Sequence, residues 1–137
     1  MVWKGRALHH LGRYEEALHC YDTALQAIEK STTLTDAGRA DAFANVWNYK
    51  AAALYHMGHF DDSIRCCEKT LQFGPRYDRA WYNKANNLRR LGKFEEAIRC
   101  YEKTLEILPS YARAWNNKGL CLRELGRLEE ALTCYKL

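Results

Sequence analysis

Residues 78–111 read DRAWYNKANNLRRLGKFEEAIRCYEKTLEILPSY, and this 34-residue stretch decides the fold. Its apolar positions follow helical spacing twice over. Trp81, Ala85, Leu88 and Leu91 fall on one stripe, and Phe94, Ala97, Ile98, Tyr101 and Leu105 on another. Gly92 stands between the two where a turn is needed, and Pro109 closes the stretch. The reading is helix, turn, helix. Ala85 and Ala97 are small enough to let the pair approach closely, while the aromatic residues fill the space around them.

The same pattern recurs on both sides. Gly12, Gly58, Gly92 and Gly126 are separated by 46, 34 and 34 residues. Two positions after each glycine stand Tyr14, Phe60, Phe94 and Leu128; five after, Ala17, Ser63, Ala97 and Ala131; nine after, Tyr21, Cys67, Tyr101 and Tyr135. Eleven before stand Met1, Trp47, Trp81 and Trp115, and Pro75 and Pro109 close the second and third copies. One hairpin cannot bury its apolar faces alone, whereas stacked copies share a continuous core. First helices are expected near 1–11, 36–57, 78–91 and 112–125, and second helices near 14–29, 60–73, 94–107 and 128–137.

A 34-residue unit carrying Trp, small, aromatic, small, aromatic and Pro in that order resembles the tetratricopeptide repeat family, and the resemblance covers nearly the whole chain. It implies an all-α fold: a right-handed α-solenoid of stacked antiparallel helix pairs, with about four units and the last truncated. The units span roughly 1–31, 44–77, 78–111 and 112–137 of a single 1–137 domain. In such an array the first helices line a concave face and the second helices a convex one.

Three features depart from a regular array. The first spacing is 12 residues too long, with the excess inside residues 29–43. Residues 32–43 are read as an insertion that lengthens the helix through Trp47 to Met57, capped by Thr35 or Asp36. A column usually held by Leu carries Lys4, Lys50, Lys84 and Lys118, whose stems can pack on the core while the ammonium reaches water. The last copy stops at Leu137 before its second helix is complete. Terminal repeats need a solvent-compatible outer face. Leu132, Cys134 and Leu137 are therefore expected to leave apolar surface uncovered, pointing to a piece of a longer array or to end-to-end self-association.

Composition removes several function classes. A chain that is 47% hydrophobic and 28% charged is not disordered. No apolar run reaches the length of a membrane span, and the N-terminus lacks a signal core. The chain is read as cytoplasmic. Cys20, Cys66, Cys100 and Cys134 share one column, on helices expected to pack roughly 8–10 Å apart. That is too far for a disulfide, which needs Cα atoms within about 7 Å, or for a zinc site, which needs sulfurs about 2.3 Å from one ion. With Cys67 and Cys121 they are read as small apolar residues of a reducing compartment. His9, His10 and His56 share a face with no carboxylate or thiolate at ligand spacing, so no metal is expected. The acidic pairs Glu15-Glu16, Asp61-Asp62, Glu95-Glu96 and Glu129-Glu130 fall in the first turn of each second helix, where negative charge is stabilising. No phosphate loop or nucleophile motif appears, and the chain is read as neither an enzyme nor a cofactor carrier.

The stripe opposite the apolar face of the first helices carries the charge. Its candidate binding residues are Arg6, Asn48, Tyr49, Arg79, Tyr82, Asn83, Asn86, Arg89, Arg90, Arg113, Asn116, Asn117 and Arg123. Six arginines against Glu124 give the stripe a net charge of +5, while the rest of the chain sums to −1. A concave surface focuses such a field on anionic partners. Asparagine amides match the donors and acceptors of an extended backbone, and tyrosines suit contact surfaces. The reading is a scaffold that holds an acidic peptide of another protein. Single-stranded RNA in the same hollow is the alternative, disfavoured by the modest overall charge, and an excised or designed array without a ligand is the third. Some members of the family grip a peptide carboxylate with Lys, Asn, Asn, Lys and Arg. The matching places here hold Asn48, Ala52, Asn83, Arg113 and Asn117, so only Asn83 and the charge at Arg113 carry over.

Overall fold

The computed structural model describes residues 2–135; Met1 of the Trp column and Leu137 at the end of the last copy lie outside the described residues. Eight helices follow in order: α1 (Val2–His10), α2 (Tyr14–Lys30), α3 (Asp36–His56), α4 (Phe60–Phe73), α5 (Asp78–Arg90), α6 (Phe94–Ile107), α7 (Ala112–Glu124) and α8 (Leu128–Tyr135). Among the described residues there is no strand, and no helix is long and apolar enough to cross a membrane. The chain divides after Pro75 into two compact units, the first holding α1–α4 and the second α5–α8. In the first, α3 packs on both α2 and α4; in the second, α6 packs on both α5 and α7. The class is all-α, with helix pairs stacked as in an α-solenoid.

Each first helix ends on its glycine. Gly92 has φ +80°, and Gly12, Gly58 and Gly126 lie within a degree of it. The Gly92 amide donates to Arg89 O at 3.0 Å and the Lys93 amide to Leu88 O at 2.9 Å. The same two bonds close α1, α3 and α7, satisfying carbonyls that a helix end leaves unpaired. The second helices then start on Arg13, His59 and Lys93, none of which caps with its side chain. The acidic pairs of the first turn supply the favourable charge instead, worth ~0.3–1 kcal/mol each.

Small residues set the distance between paired helices. Ala51, Ala85, Ala17 and Ala97 are fully buried, as is Ser63, whose hydroxyl donates to Ala51 O at 2.6 Å. The two outer copies carry glycine in the Ala51/Ala85 column. A Cβ on Gly5 would stand 2.7 Å from Cε1 of Tyr21, and one on Gly119 would stand 2.6 Å from Cε1 of Tyr135. The tyrosine ring occupies the volume of the missing methyl.

The insertion is absorbed almost wholly as helix. α2 has 17 residues against 14 in α4 and α6, α3 has 21 against 13 in α5 and α7, and the connector 31–35 is one residue longer than 74–77. The first copy lacks the proline that stops α4 at Gly74 and α6 at Leu108, because Glu29 stands in that column, so α2 runs on. Thr35 caps α3, its hydroxyl accepting from the Gly38 amide at 3.0 Å. Arg39 reaches back to the free end of α2: its guanidinium donates to Ile28 O at 3.1 Å, Glu29 O at 2.9 Å and Ser31 O at 3.0 Å. A cation bonded to terminal carbonyls also complements the helix dipole.

Two expectations change. The ammonium of the lysine column does not simply rise to water. Lys50 lies 2.7 Å from Asp22 and Lys118 3.8 Å from Glu102, each joining a first helix to the preceding second helix. Each also lies over a tryptophan ring, Trp47 at 5.1 Å and Trp115 at 5.4 Å. At the far end, Leu132 is 56% exposed as expected, but Cys134 is buried, with Lys118 of α7 nearby. All six cysteines are free, and five of them are buried.

Gly5→Ala should lower stability by about 1–3 kcal/mol, the cost of overfilling a packed site. Urea unfolding measures it, and an unchanged midpoint would mean that the Tyr21 ring can yield.

Candidate functional site

The predicted stripe divides by burial. In the second unit Arg79, Arg90, Arg113, Asn116 and Arg123 are exposed; Tyr82, Asn83, Arg89 and Asn117 are half-buried; Asn86 is buried. In the first unit Arg6 is exposed, Tyr49 is half-buried, and Asn48 is buried at 4% exposure. The Arg6 guanidinium lies 4.9 Å over the Tyr49 ring, which stacks at 6.0 Å on Tyr21.

A bonded cluster supports the arginines of the second unit. The Tyr101 hydroxyl donates to Asn86 Oδ1, and the Asn117 amide donates to the same oxygen and to the Tyr82 hydroxyl, each at 3.1 Å. Arg89 Nε approaches the Tyr101 oxygen at 3.4 Å. Burial pushes the Tyr101 phenol above its ordinary range, against the pull of Arg89. The Tyr82 ring packs 4.8 Å from that of Tyr111. Burial also raises the Tyr111 phenol, with Tyr82 and Asp78 adding to the rise and Arg79 and Arg113 opposing it.

Asn86 and Asn117 therefore spend polar groups on one another and on tyrosines. Tyr101 belongs to the site yet was read as core filling. The usable signal was its hydroxyl, since a buried phenol needs a partner and Cys67 in the same column does not.

The histidines expected on one face of the first unit do assemble. The His9 ring lies 5.1 Å from His56, 5.7 Å from His10 and 5.2 Å from Tyr14, and Tyr14 stacks on His56 at 5.7 Å. His9 is half-buried, and its Nδ1 is buried without a hydrogen-bond partner. Burial lowers its pKa, with further lowering from His56 and then His10. Among the described residues no group of three His, Cys, Asp or Glu is arranged to hold a metal ion. Clefts of about 390 Å³ beside Trp47 and 290 Å³ beside Trp81 are bordered by Arg65 and Arg99 of the second helices, not by the arginines of the first-helix stripe.

A tetratricopeptide repeat profile matches residues 42–109 and 76–137, and a second profile of the same description matches residues 1–31. The chain belongs to the tetratricopeptide repeat family. Solved tetratricopeptide structures share the fold. The first such domain of the human RPAP3 protein is 23% identical, with a TM-score of 0.79 over 93% of this chain and 91% of that one. A structure described as the first TPR of Spaghetti (RPAP3) bound to the HSP90 peptide SRMEEVD is also 23% identical, with a TM-score of 0.77 over 91% of this chain and 90% of the other. MamA from Desulfovibrio magneticus is 17% identical, with a TM-score of 0.82 over 98% of this chain and 70% of its own. No curated protein sequence matches the chain. At these identities the likeness is one of fold.

Two measurements follow for this tetratricopeptide site. Asn86→Ala removes an acceptor from a buried hydroxyl and should cost about 1–3 kcal/mol in urea unfolding, whereas Arg79→Ala should stay within about 0.5 kcal/mol. For His9, the folded pKa lies below the unfolded value of 6.5, so the unfolded chain takes up the proton first as pH falls. Stability should be full above pH 6.5 and decline below it until the folded pKa is passed. His9→Gln should flatten that decline in a thermal melt series; an identical decline would clear His9 of the effect.

Proposed function

We propose that this chain is a cytoplasmic protein-interaction scaffold that holds an acidic peptide segment of another protein on its first-helix arginine stripe. The observation that carries the reading is the pair Arg79 and Arg113. Both are exposed, they come from the consecutive first helices α5 and α7, and both oppose the rise of the Tyr111 phenol. Two cations on consecutive first helices suit a peptide that carries more than one carboxylate. Arg90 and Arg123 extend the positive charge on the same helices, with Glu124 as the stripe's one carboxylate.

The cluster of Asn86, Asn117, Tyr82 and Tyr101 gives this surface a rigid floor, which lowers the ordering cost of binding. A domain of the same fold holding a peptide with two glutamates and an aspartate supports the acidic class. Free cysteines suit a reducing compartment. Base stacking needs open aromatic faces, and Tyr49 and Tyr82 are half-buried against Tyr21 and Tyr111, which favours peptide over RNA.

The test is fluorescence anisotropy with a labelled decapeptide rich in Glu and Asp. Arg79→Glu with Arg113→Glu should weaken binding at least about tenfold, as expected for reversing two charges at a contact, and leave the melting temperature unchanged. Equal binding by the double variant, or tighter binding of a single-stranded RNA 10-mer by the wild type, would overturn the reading.

A further inference from the structure

The first unit differs from the second where the stripe meets the turns. Arg89 and Arg90 in α5 occupy the columns that hold His9 and His10 in α1 and Tyr55 and His56 in α3. Permanent cations are thus replaced by imidazoles and a phenol. The three imidazoles are gathered in one place, with ring centres 5.1 and 5.7 Å from His9. His10 and His56 are exposed, so the cluster is open to an incoming group.

The charged and aromatic groups around the three rings come from α1 to α4 and their turns. α1 contributes Arg6, which lies over Tyr49, and the turn contributes Arg13, which is bound to Glu16. α2 contributes the Tyr14 ring and then Glu15, which borders a cleft with Lys4 and His19. α3 contributes Tyr55 and His56, with Phe60 of α4 against Tyr55. In the turn before α4, His59 pairs with Asp62, which is also bound to Arg65. The groups acting on His9 are the other two histidines, and both oppose its protonation. Among the described residues no carboxylate is paired with His9, and its buried ring nitrogen Nδ1 has no hydrogen-bond partner.

We propose that His9, His10 and His56 form a carboxylate-binding site that opens on protonation, taking a carboxylate of an acidic peptide. The proposal rests on the peptide-capture reading only for the identity of its partner. His9 meets the Tyr14 ring edge-on at 5.2 Å and His56 stacks on it at 5.7 Å. As pH falls, protonated imidazoles repel one another, and a carboxylate placed among them removes the repulsion while accepting their N–H bonds. The site binds in proportion to the protonated fraction, so affinity follows pH.

Two experiments separate this site from the broader function. In the first, imidazole C–H resonances are followed by NMR against pH, with and without tricarballylate. The anion should raise the apparent pKa of His9, His10 and His56 by about one pH unit, as a bound opposite charge does, and leave His19 and His59 unmoved. Equal titration curves with and without the anion would overturn the proposal whatever the protein binds elsewhere. In the second, the acidic decapeptide is titrated at pH 7.5 and 6.0. Wild-type affinity should rise about tenfold as the protonated fraction grows with falling pH. His9→Gln with His56→Gln, checked as folded by circular dichroism, should lose the rise; a full rise in that variant refutes the site. Arg79→Glu with Arg113→Glu should bind more weakly at both pH values. If the histidines respond to tricarballylate but no variant responds to the peptide, the site stands and the peptide reading falls.

Discussion

The structure depends on how closely two helices of a pair can approach, and small side chains set that distance. Where the column holds alanine, as at Ala51 and Ala85, the methyl is fully buried. Where a tyrosine ring leans in from the second helix, as at Tyr21 and Tyr135, the column holds glycine. A close approach also requires the chain to reverse within a few residues, and the left-handed glycines at the ends of the first helices do that while bonding the last carbonyls. Everything on the first-helix surface inherits its position from these contacts. A shift of one first helix against its partner would move the arginines it carries.

Most of the fold was legible in the sequence because its determinants are local and repeated. Glycine, alanine and aromatic columns recurring every 34 residues specify hairpins and their order. The lengthened α3 was also legible, since Thr35 announces a cap and the helical pattern runs on to Trp47. What escaped notice was non-local. Nothing near Arg39 in sequence says that its guanidinium will close the end of α2, because its partners, Ile28 to Ser31, lie on the preceding helix and its exit. The lysine column was half legible: its stem was foreseen, but the carboxylates of Asp22 and Glu102 that receive the charge lie 28 and 16 residues away.

The candidate site was legible in charge and less so in role. Helical spacing placed Arg79, Arg90, Arg113 and Arg123 on the surface, because a guanidinium is costly to bury. Spacing could not say which asparagines face solvent. Asn48 and Asn86 are buried, and the Asn86 side-chain oxygen accepts from both Tyr101 and Asn117. An amide is neutral and small enough to be buried if its bonds are met. Asparagine on a mixed face therefore reads equally well as a contact residue or as the frame beneath one.

That division has a physical consequence for how the repeats differ from one another. In the third repeat the ninth position after the turn glycine is Tyr101, whose phenol points polar chemistry toward the stripe; in the second it is Cys67, which brings none. One hydroxyl in a core column thus organises Asn86, Asn117 and Arg89 on the surface above it. In the first repeat the same column is Tyr21, but Gly5 lets its ring slide under the first helix to stack with Tyr49. Its phenol is raised to about 12 by burial, with Arg6 opposing. The same residue type therefore serves two ends, according to whether the facing column is alanine or glycine. Repeats that share one backbone acquire different surfaces through single exchanges in their cores, so the imidazoles of the first unit and the arginines of the second can coexist on one scaffold.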